Sequence, residues 1–276
     1  MAPGPRVGAP RARRPRLGAW AAGLVVAVAC TTSPLGRTQL RLFPEAEMDA
    51  MGIAAYGKMQ AELARSTDAA VNATVGCVVR AVVDVLPEPE RRYEWEVTVF
   101  QDPTANAFAL PGAKIGVHTG LLEVARNQDQ LAAVIGHEIG HVIAGHANER
   151  MSTDFATQTG LQLVEVIAGA SSPAQRQTLA LLGLGAQVGI LLPFSRTQER
   201  EADLIGQDLM ARAGFDPRES VTLWENMERA GGARPPAFLS THPSSASRMR
   251  ELQARMPQAL ELYEAARAQG RRPRCG

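Results

Sequence analysis

The chain of 276 residues lacks a charge surplus of either sign: 29 Lys+Arg stand against 28 Asp+Glu, a formal net charge of +1. Without a basic excess there is no electrostatic footprint for a polyanion, and no nucleic-acid partner is expected. Between residues 45 and 270 there is no Pro/Gly/Ser stretch long enough to divide domains, and no internal repeat, which argues for one domain over residues 45–276. No apolar run reads as a permanent membrane span either. Leu17 to Ala29 would reach only about 20 Å as a helix against a hydrocarbon core of roughly 30 Å. The uncharged stretch Gln177 to Ser195 contains three glycines, two glutamines and Pro193, and reads as a packing helix. What is present, 45% hydrophobic and 21% charged residues, lies near globular averages and excludes a disordered chain.

The neutral total hides an asymmetry. Residues 1–29 hold five arginines (Arg6, Arg11, Arg13, Arg14, Arg16) and no acid, leaving 24 basic against 28 acidic residues beyond them. A basic start, a short apolar run and the small residues Ala27-Val28-Ala29 have the layout of a signal peptide over 1–29. The same small residues followed by Cys30 fit a bacterial lipobox, so Cys30 is expected to carry lipid and anchor the chain to a membrane, with residues 30–44 as a polar tether. Ordinary signal peptidase and a soluble secreted product is the alternative. Nothing acidic follows Cys30, which points to the periplasmic face of an outer membrane. Three cysteines then divide into one plus two, and an oxidising compartment permits Cys77 and Cys275 to pair.

Apolar spacing predicts helices across residues 45–86, stopped by Pro87 and Pro89. The period then changes. Tyr93, Trp95, Val97 and Val99 alternate with polar residues as a half-buried strand, and pieces at 106–110 and 114–118 around Pro111-Gly112 complete a small antiparallel sheet. From residue 120 the pattern is helical. The expected fold class is α+β, mainly α.

The chemistry concentrates in His137-Glu138-Ile139-Gly140-His141, an HExxH pattern inside an apolar-periodic run for which Asp129 offers an N-cap. Four residues advance a helix by about 6 Å and 400°, so His137 and His141 share a face and can offer imidazole nitrogens to one ion, with zinc favoured. A metal held there lowers the pKa of a water from 15.7 towards about 7, and Glu138 can take its proton and pass it to a leaving amine. A third protein ligand is needed. Six residues after His141 stands Ala147, and Ala144 replaces the helical glycine, which excludes the metzincin arrangement. The candidates are Glu199 and Glu201, with Asp203 four residues after Glu199 on the same face to support a ligand imidazole. Glu201 points about 200° away from Glu199. Arg196 and Arg248 read equally as anchors of the loop that carries His242, as partners of Asp203, or as plain surface residues.

The HExxH helix, the ExxxD pattern of Glu199 and Asp203, and Ser240-Thr241-His242-Pro243-Ser244 together resemble the gluzincin metalloendopeptidases of the HtpX, Oma and BepA/LoiP kind, related to the CAAX prenyl proteases. Cys30 to Leu40 and Asn106-Ala107-Phe108-Ala109-Leu110-Pro111-Gly112 resemble the bacterial lipoprotein branch, which often has a second glycine where Ala113 stands. The resemblance implies a zincin fold, one zinc held by His137, His141 and Glu199, and Glu138 as base. It implies for His242 a role as donor to the reacting oxygen or as fourth ligand in a latent state. It also suggests Asn106, Ala107 and Phe108 as an edge on which an extended substrate pairs. His146, five residues past His141, faces elsewhere on an ideal helix and is expected to pack or cap; His118 has no assigned role. The function implied is an endopeptidase acting on unfolded or misassembled envelope proteins. The rival is a chaperone-like lipoprotein that assists the outer-membrane assembly machinery with a latent zinc site.

Overall fold

The computed structural model of the protein describes residues 30–88, 90–167, 194–231, 237–243 and 246–276. It opens with an antiparallel hairpin, β1 (Cys30–Thr32) and β2 (Thr38–Leu40), joined by a turn closed by Ser33 and Gly36. These residues, expected as a polar tether, instead dock on the body of the molecule. Gln39 is 1% exposed, and its amide donates to Ala144 O at 2.8 Å and to Glu149 at 3.1 Å. Polar side chains with buried partners behave as packing residues, which composition alone does not reveal.

The helical region over 45–86 is two helices, α1 (Glu45–Glu62) and α2 (Ala69–Val83). Leu63 turns the backbone extended, and the link runs beside the sheet, with Ser66 N–H donating to Val99 O and Gln101 N–H to Ala64 O, each at 2.8 Å. Asp68 then caps α2 by accepting from the amides of Ala70 and Val71.

Three strands follow, β3 (Glu96–Phe100), β4 (Ala107–Leu110) and β5 (Lys114–His118), in the order β3-β5-β4. The sheet is mixed, where the sequence suggested an antiparallel one. β4 and β5 form the expected hairpin, but β5 inserts between β4 and β3 and runs parallel to β3, with Val97 opposite Ile115. The segment 101–106 carries the chain past the central position, leaving β4 at the edge that faces the helices. The turn places Gly112 at φ 79° and Ala113 at φ 60°, the left-handed region that explains a preference for glycine at the second position.

The remaining elements among the described residues are α3 (Leu121–Val124), α4 (Gln128–Ile143), α5 (His146–Ile167), α6 (Arg196–Ala213), α7 (Glu219–Gly231), α8 (Ala237–Thr241) and α9 (Ala246–Ala268). The core lies between α2, the sheet and α4, with Val75, Val78, Val82, Ile115, Val117, Leu131, Ile135 and Ile139 buried together. Helices α4 and α6 cross backbone to backbone. A Cβ on Gly136 would come 2.7 Å from Gly206 O, and one on Gly140 would come 3.0 Å from Ala202 O. Only such an approach brings the carboxylates of α6 against the histidines of α4. The sulfurs of Cys77 on α2 and Cys275 are bonded, with their Cα atoms 5.4 Å apart. Among the described residues no helix is long and apolar enough to cross a membrane. Of the stretch 177–195 only Phe194 and Ser195 fall within the described residues, and Ser195 begins α6 in a capping box with Gln198.

Candidate metal centre

Helix α4 starts at Asn127, whose side chain accepts from Gln130 N–H at 2.8 Å. Asp129, expected as the cap, instead accepts from Asp216 N–H at 2.7 Å and ties α4 to the end of α6. Two turns further on, the helix is buried on every side, and His137, Glu138 and His141 are 3%, 2% and 3% exposed.

His137, His141, Glu199 and His242 each bring one donor atom into a group whose members all lie within 4.8 Å of one another. The Nε2 atoms of His137 and His141 are 3.1 Å apart. Glu199 Oε2 is 3.5 Å from His137 Nε2, and its Oε1 is 3.4 Å from His141 Nε2. His242 places Nδ1 2.9 Å from Glu199 Oε1 and 3.2 Å from His137 Nε2. Its Nε2 lies 3.5 Å from Glu138 Oε1. The α8 turn positions it, since His242 N–H donates to Phe238 O and the Phe238 ring stacks on the imidazole at 4.4 Å.

Asp203 accepts from His137 Nδ1 at 3.0 Å and is itself gripped by Arg248 through Nε at 2.6 Å and Nη2 at 2.7 Å. A carboxylate held by arginine accepts only, so the ring proton of His137 sits on Nδ1 and the Nε2 lone pair faces His141 and Glu199. Three buried imidazoles and a carboxylate converging on one point are the donor set a cation satisfies, and the residues fit a metal ion. Burial works to raise the Glu199 carboxyl, but His242, His141 and His137 outweigh it and hold it well below its usual range. The same contest at Asp203 is decided by Arg248, with His137 assisting. Arg248 also reaches Glu199 Oε2 at 2.6 Å and lies over the Trp224 ring at 4.0 Å.

Glu138 has a different environment. Its Oε2 accepts from Ala109 N–H on the edge strand at 3.0 Å, while its Oε1 is buried without a hydrogen bond. Burial pushes this carboxyl up, only partly opposed by His242 and His137.

Residues 69–256 match the model of the family described as peptidase family M48. The chain belongs to peptidase family M48. It is similar to the mitochondrial metalloendopeptidase OMA1 of Schizosaccharomyces pombe, 42% identical over 168 residues, which cover 60% of this chain and 48% of that protein. It is also similar to the mitochondrial metalloendopeptidase OMA1 of Bos taurus, 35% identical over 246 residues, or 83% of this chain and 45% of that protein. The beta-barrel assembly-enhancing protease of Escherichia coli is 34% identical over 159 residues, 55% of this chain and 32% of that protein. The chain spans about half, or less, of the length of these M48 relatives.

Around the M48 constellation the structure departs from the sequence reading at several residues. His146 was expected to face away. Gly145, at φ 64°, ends α4 and starts α5 in a new direction, so the helical extrapolation fails and His146 Nδ1 lies 2.9 Å from His141 Nδ1. Glu201, a candidate third ligand on the sequence although turned about 200° from Glu199, is 4% exposed and lies 3.2 Å from His146 Nε2 instead. Phe194, from a stretch read as packing, stacks on His141 at 3.8 Å and on His242 at 5.2 Å. The residues Ala144-Gly145-His146 were the available signal, since a glycine there permits a change of helix direction.

Asn106, Ala107 and Phe108 lie on the edge strand or at its start, but Ala107 is 1% exposed and the Phe108 ring packs on Phe100. The portion of β4 that reaches the site is Ala109 and Leu110, which line a groove with Met48, Tyr93, Trp95 and His141. His118, left without a role, accepts or donates to Thr104 at 2.9 Å beside Asp102, and supports the turn before β4. Cys30 is exposed at the start of β1.

Proposed function

We propose that the protein is a zinc-dependent endopeptidase of the cell envelope, exported by residues 1–29, anchored through lipid on Cys30, and acting on unfolded or misassembled envelope proteins. Two imidazoles and a carboxylate, with one further position, are the ligand set zinc favours in hydrolytic sites. The observation that carries the reading is Glu138, a buried carboxyl with one oxygen on the edge strand and the other without a hydrogen bond, 3.5 Å from His242 in the four-residue cluster.

Zinc, when bound, supplies a Lewis acid that polarises a carbonyl and makes water acidic enough to lose a proton near neutral pH. Glu138 accepts that proton and delivers it to the leaving amine; its raised pKa brings it closer to the pH at which both transfers occur. An extended peptide pairs with the Ala109 end of β4 and sends a side chain into the groove lined by Met48, Tyr93 and Trp95. His242 donates to the reacting carbonyl oxygen, or fills the fourth ligand position when the site rests closed. Relatives named for mitochondria and for β-barrel assembly support work at a membrane. An acyl group on Cys30 would hold the domain close to its bilayer, because the docked hairpin leaves little free chain between them.

The test is casein cleavage by wild type and Glu138→Gln with zinc content measured in both. Cleavage should fall about 10²–10⁴-fold while one zinc per chain remains. Full activity in the variant would end the reading. Cys30→Ala should abolish incorporation of labelled palmitate.

The second reading is a chaperone-like lipoprotein for outer-membrane assembly with a latent site, and the placement of His242 inside the ligand cluster favours it. It predicts that an assembly defect is rescued equally by wild type and Glu138→Gln.

A further inference from the structure

The contacts behind His141 continue outward through His146 and Glu201 to the N-terminal hairpin. His146 Nε2 lies 3.2 Å from Glu201 Oε2. That same oxygen accepts from Arg37 Nε at 3.2 Å and Nη2 at 3.1 Å, and Glu201 Oε1 accepts from Leu35 N–H at 3.3 Å. Arg37 also holds Glu149 through both terminal nitrogens, one at 2.7 Å. Glu149 is further fixed by Gln39 at 3.1 Å and Gln198 at 2.9 Å. The hairpin turn shapes this grip, with Ser33 Oγ accepting from Arg37 N–H at 3.1 Å. His146 is fully buried, at 0% exposure.

Proton placement follows from the inventory of donors. Glu201, with an arginine on its outer side, accepts only, so His146 carries its proton on Nε2. Neutral His146 then presents an Nδ1 lone pair, and the 2.9 Å contact requires His141 to donate from Nδ1. The inner nitrogen of His141 is left with its lone pair turned toward His137 and Glu199. If Glu201 swung away, His146 could carry its proton on Nδ1, and His141 would then hold a proton on Nε2, facing the ligand cluster. The ligand tautomer depends on where Glu201 is held, and Glu201 is held by residues 35 and 37.

We infer that the hairpin of residues 30–40 is a positioning element for the metal centre: Arg37 fixes Glu201, Glu201 orients His146, and His146 keeps the inner nitrogen of His141 free to bind the ion. The inference rests on the reading of His137, His141 and Glu199 as zinc ligands. Its consequence is that the segment directly following Cys30 is coupled to zinc retention, so pulling the hairpin off the domain loosens the ion. Arg37, Glu201 and His146 act through His141 and touch neither ion nor substrate.

The experiment is competition for zinc between a chromogenic chelator and the full chain, with thermal unfolding of each zinc-free variant beside it. His146→Phe should weaken zinc by about 10–100-fold, the range found for partners of ligand histidines. Arg37→Ala should weaken it by a smaller factor, about 3–10-fold by the same comparison, with part of the loss recovered in Arg37→Lys. His146→Gln, which keeps a side-chain acceptor, should bind more tightly than His146→Phe. Lower zinc-free melting temperatures with zinc affinity within twofold of wild type in both Arg37→Ala and His146→Phe would overturn the proposal, since that is a purely structural role. If Arg37→Ala does not fold, unchanged affinity in Arg37→Lys together with His146→Phe overturns it as well. Absence of saturable zinc binding by wild type would instead sink the underlying metal-site reading, and is told apart by that control.

Discussion

His137 and His141 project from the same helix one turn apart, yet the protein supports them in opposite ways. Behind His137 stand Asp203 of α6 and Arg248 of α9, both 5% exposed or less, with Arg248 lying over the Trp224 ring. Behind His141 stand His146, Glu201 and Arg37, and the last belongs to a short hairpin and keeps 26% of its side chain in solvent. Each relay ends in a carboxylate and an arginine, the one behind His141 passing first through the additional imidazole of His146. The first is built from the core and forms when the core forms. The second is completed by a segment that adds little apolar burial, so its strength depends on docking. The difference teaches that one histidine of the pair is fixed by folding of the core while the position of the other depends on docking of the hairpin.

The largest effect that separates the two sides is loss of Arg248. Arg248→Ala leaves the carboxylates of Asp203 and Glu199 buried without their cation, and breaking a buried pair costs about 3–5 kcal/mol. Urea unfolding of the zinc-free protein should show a loss of that order, and zinc should recover part of it by replacing positive charge. Arg37→Ala removes a partly exposed arginine, and exposed pairs contribute about 1 kcal/mol or less to stability. Similar unfolding losses in the two variants would erase the distinction between a core relay and a docked one.

Reduction of the disulfide tests whether stability and ligand positioning are separate. Cys77 and Cys275 close a loop with a sequence separation of 198, which in the chain-entropy model stabilises by about 4–5 kcal/mol, with measured values often lower. The bond joins α2 to the C-terminal tail, away from both relays. Cys77→Ser with Cys275→Ser should therefore lower the urea midpoint while zinc affinity stays at the wild-type value. A parallel loss of zinc affinity would mean that ligand orientation merely follows global stability.

The boundary of what the sequence discloses follows the same division. His137, Glu138 and His141 were legible because they lie within one uninterrupted helix, and Glu199 and Asp203 because a four-residue step repeats a face. His242 was legible only through resemblance to a family, since a histidine in a loop has no period. The outer relay escaped because each of its links crosses a break in local geometry. Gly145 redirects His146, a helical extrapolation from Glu199 sends Glu201 away from the site, and Arg37 lies in residues whose polarity read as a tether. The mixed sheet escaped for a related reason: alternation identifies strands but does not say which one inserts between the others.

Proton equilibria separate Glu138 from the carboxylates that support the histidines. Glu201 is held down to about 2: burial alone would raise it, but His146, Ser33 and the backbone at Leu35 prevail. A folded pKa below the unfolded value contributes stability that is present above about pH 4.5 and lost as pH falls towards 2. Glu138 is shifted the other way, so its ionisation costs stability as pH rises above its unfolded value. Glu138→Gln should accordingly raise the thermal midpoint of the zinc-free protein at neutral pH and leave it nearly unchanged below pH 4, where both side chains are neutral. A midpoint that falls at neutral pH would show that the Ala109 contact requires a charged acceptor.

The smallest effect is the most discriminating. Asn127 caps α4 about four turns before His141, and Asn127→Ala should cost about 1 kcal/mol of stability. That loss is comparable to the one expected for Arg37→Ala, but it is applied to the ligand helix itself rather than to the relay behind it. Chelator competition should find zinc affinity unchanged in Asn127→Ala and weakened in Arg37→Ala. Equal weakening in both would show that any loosening of α4 disturbs the ion, and the hairpin would then have no special hold on His141.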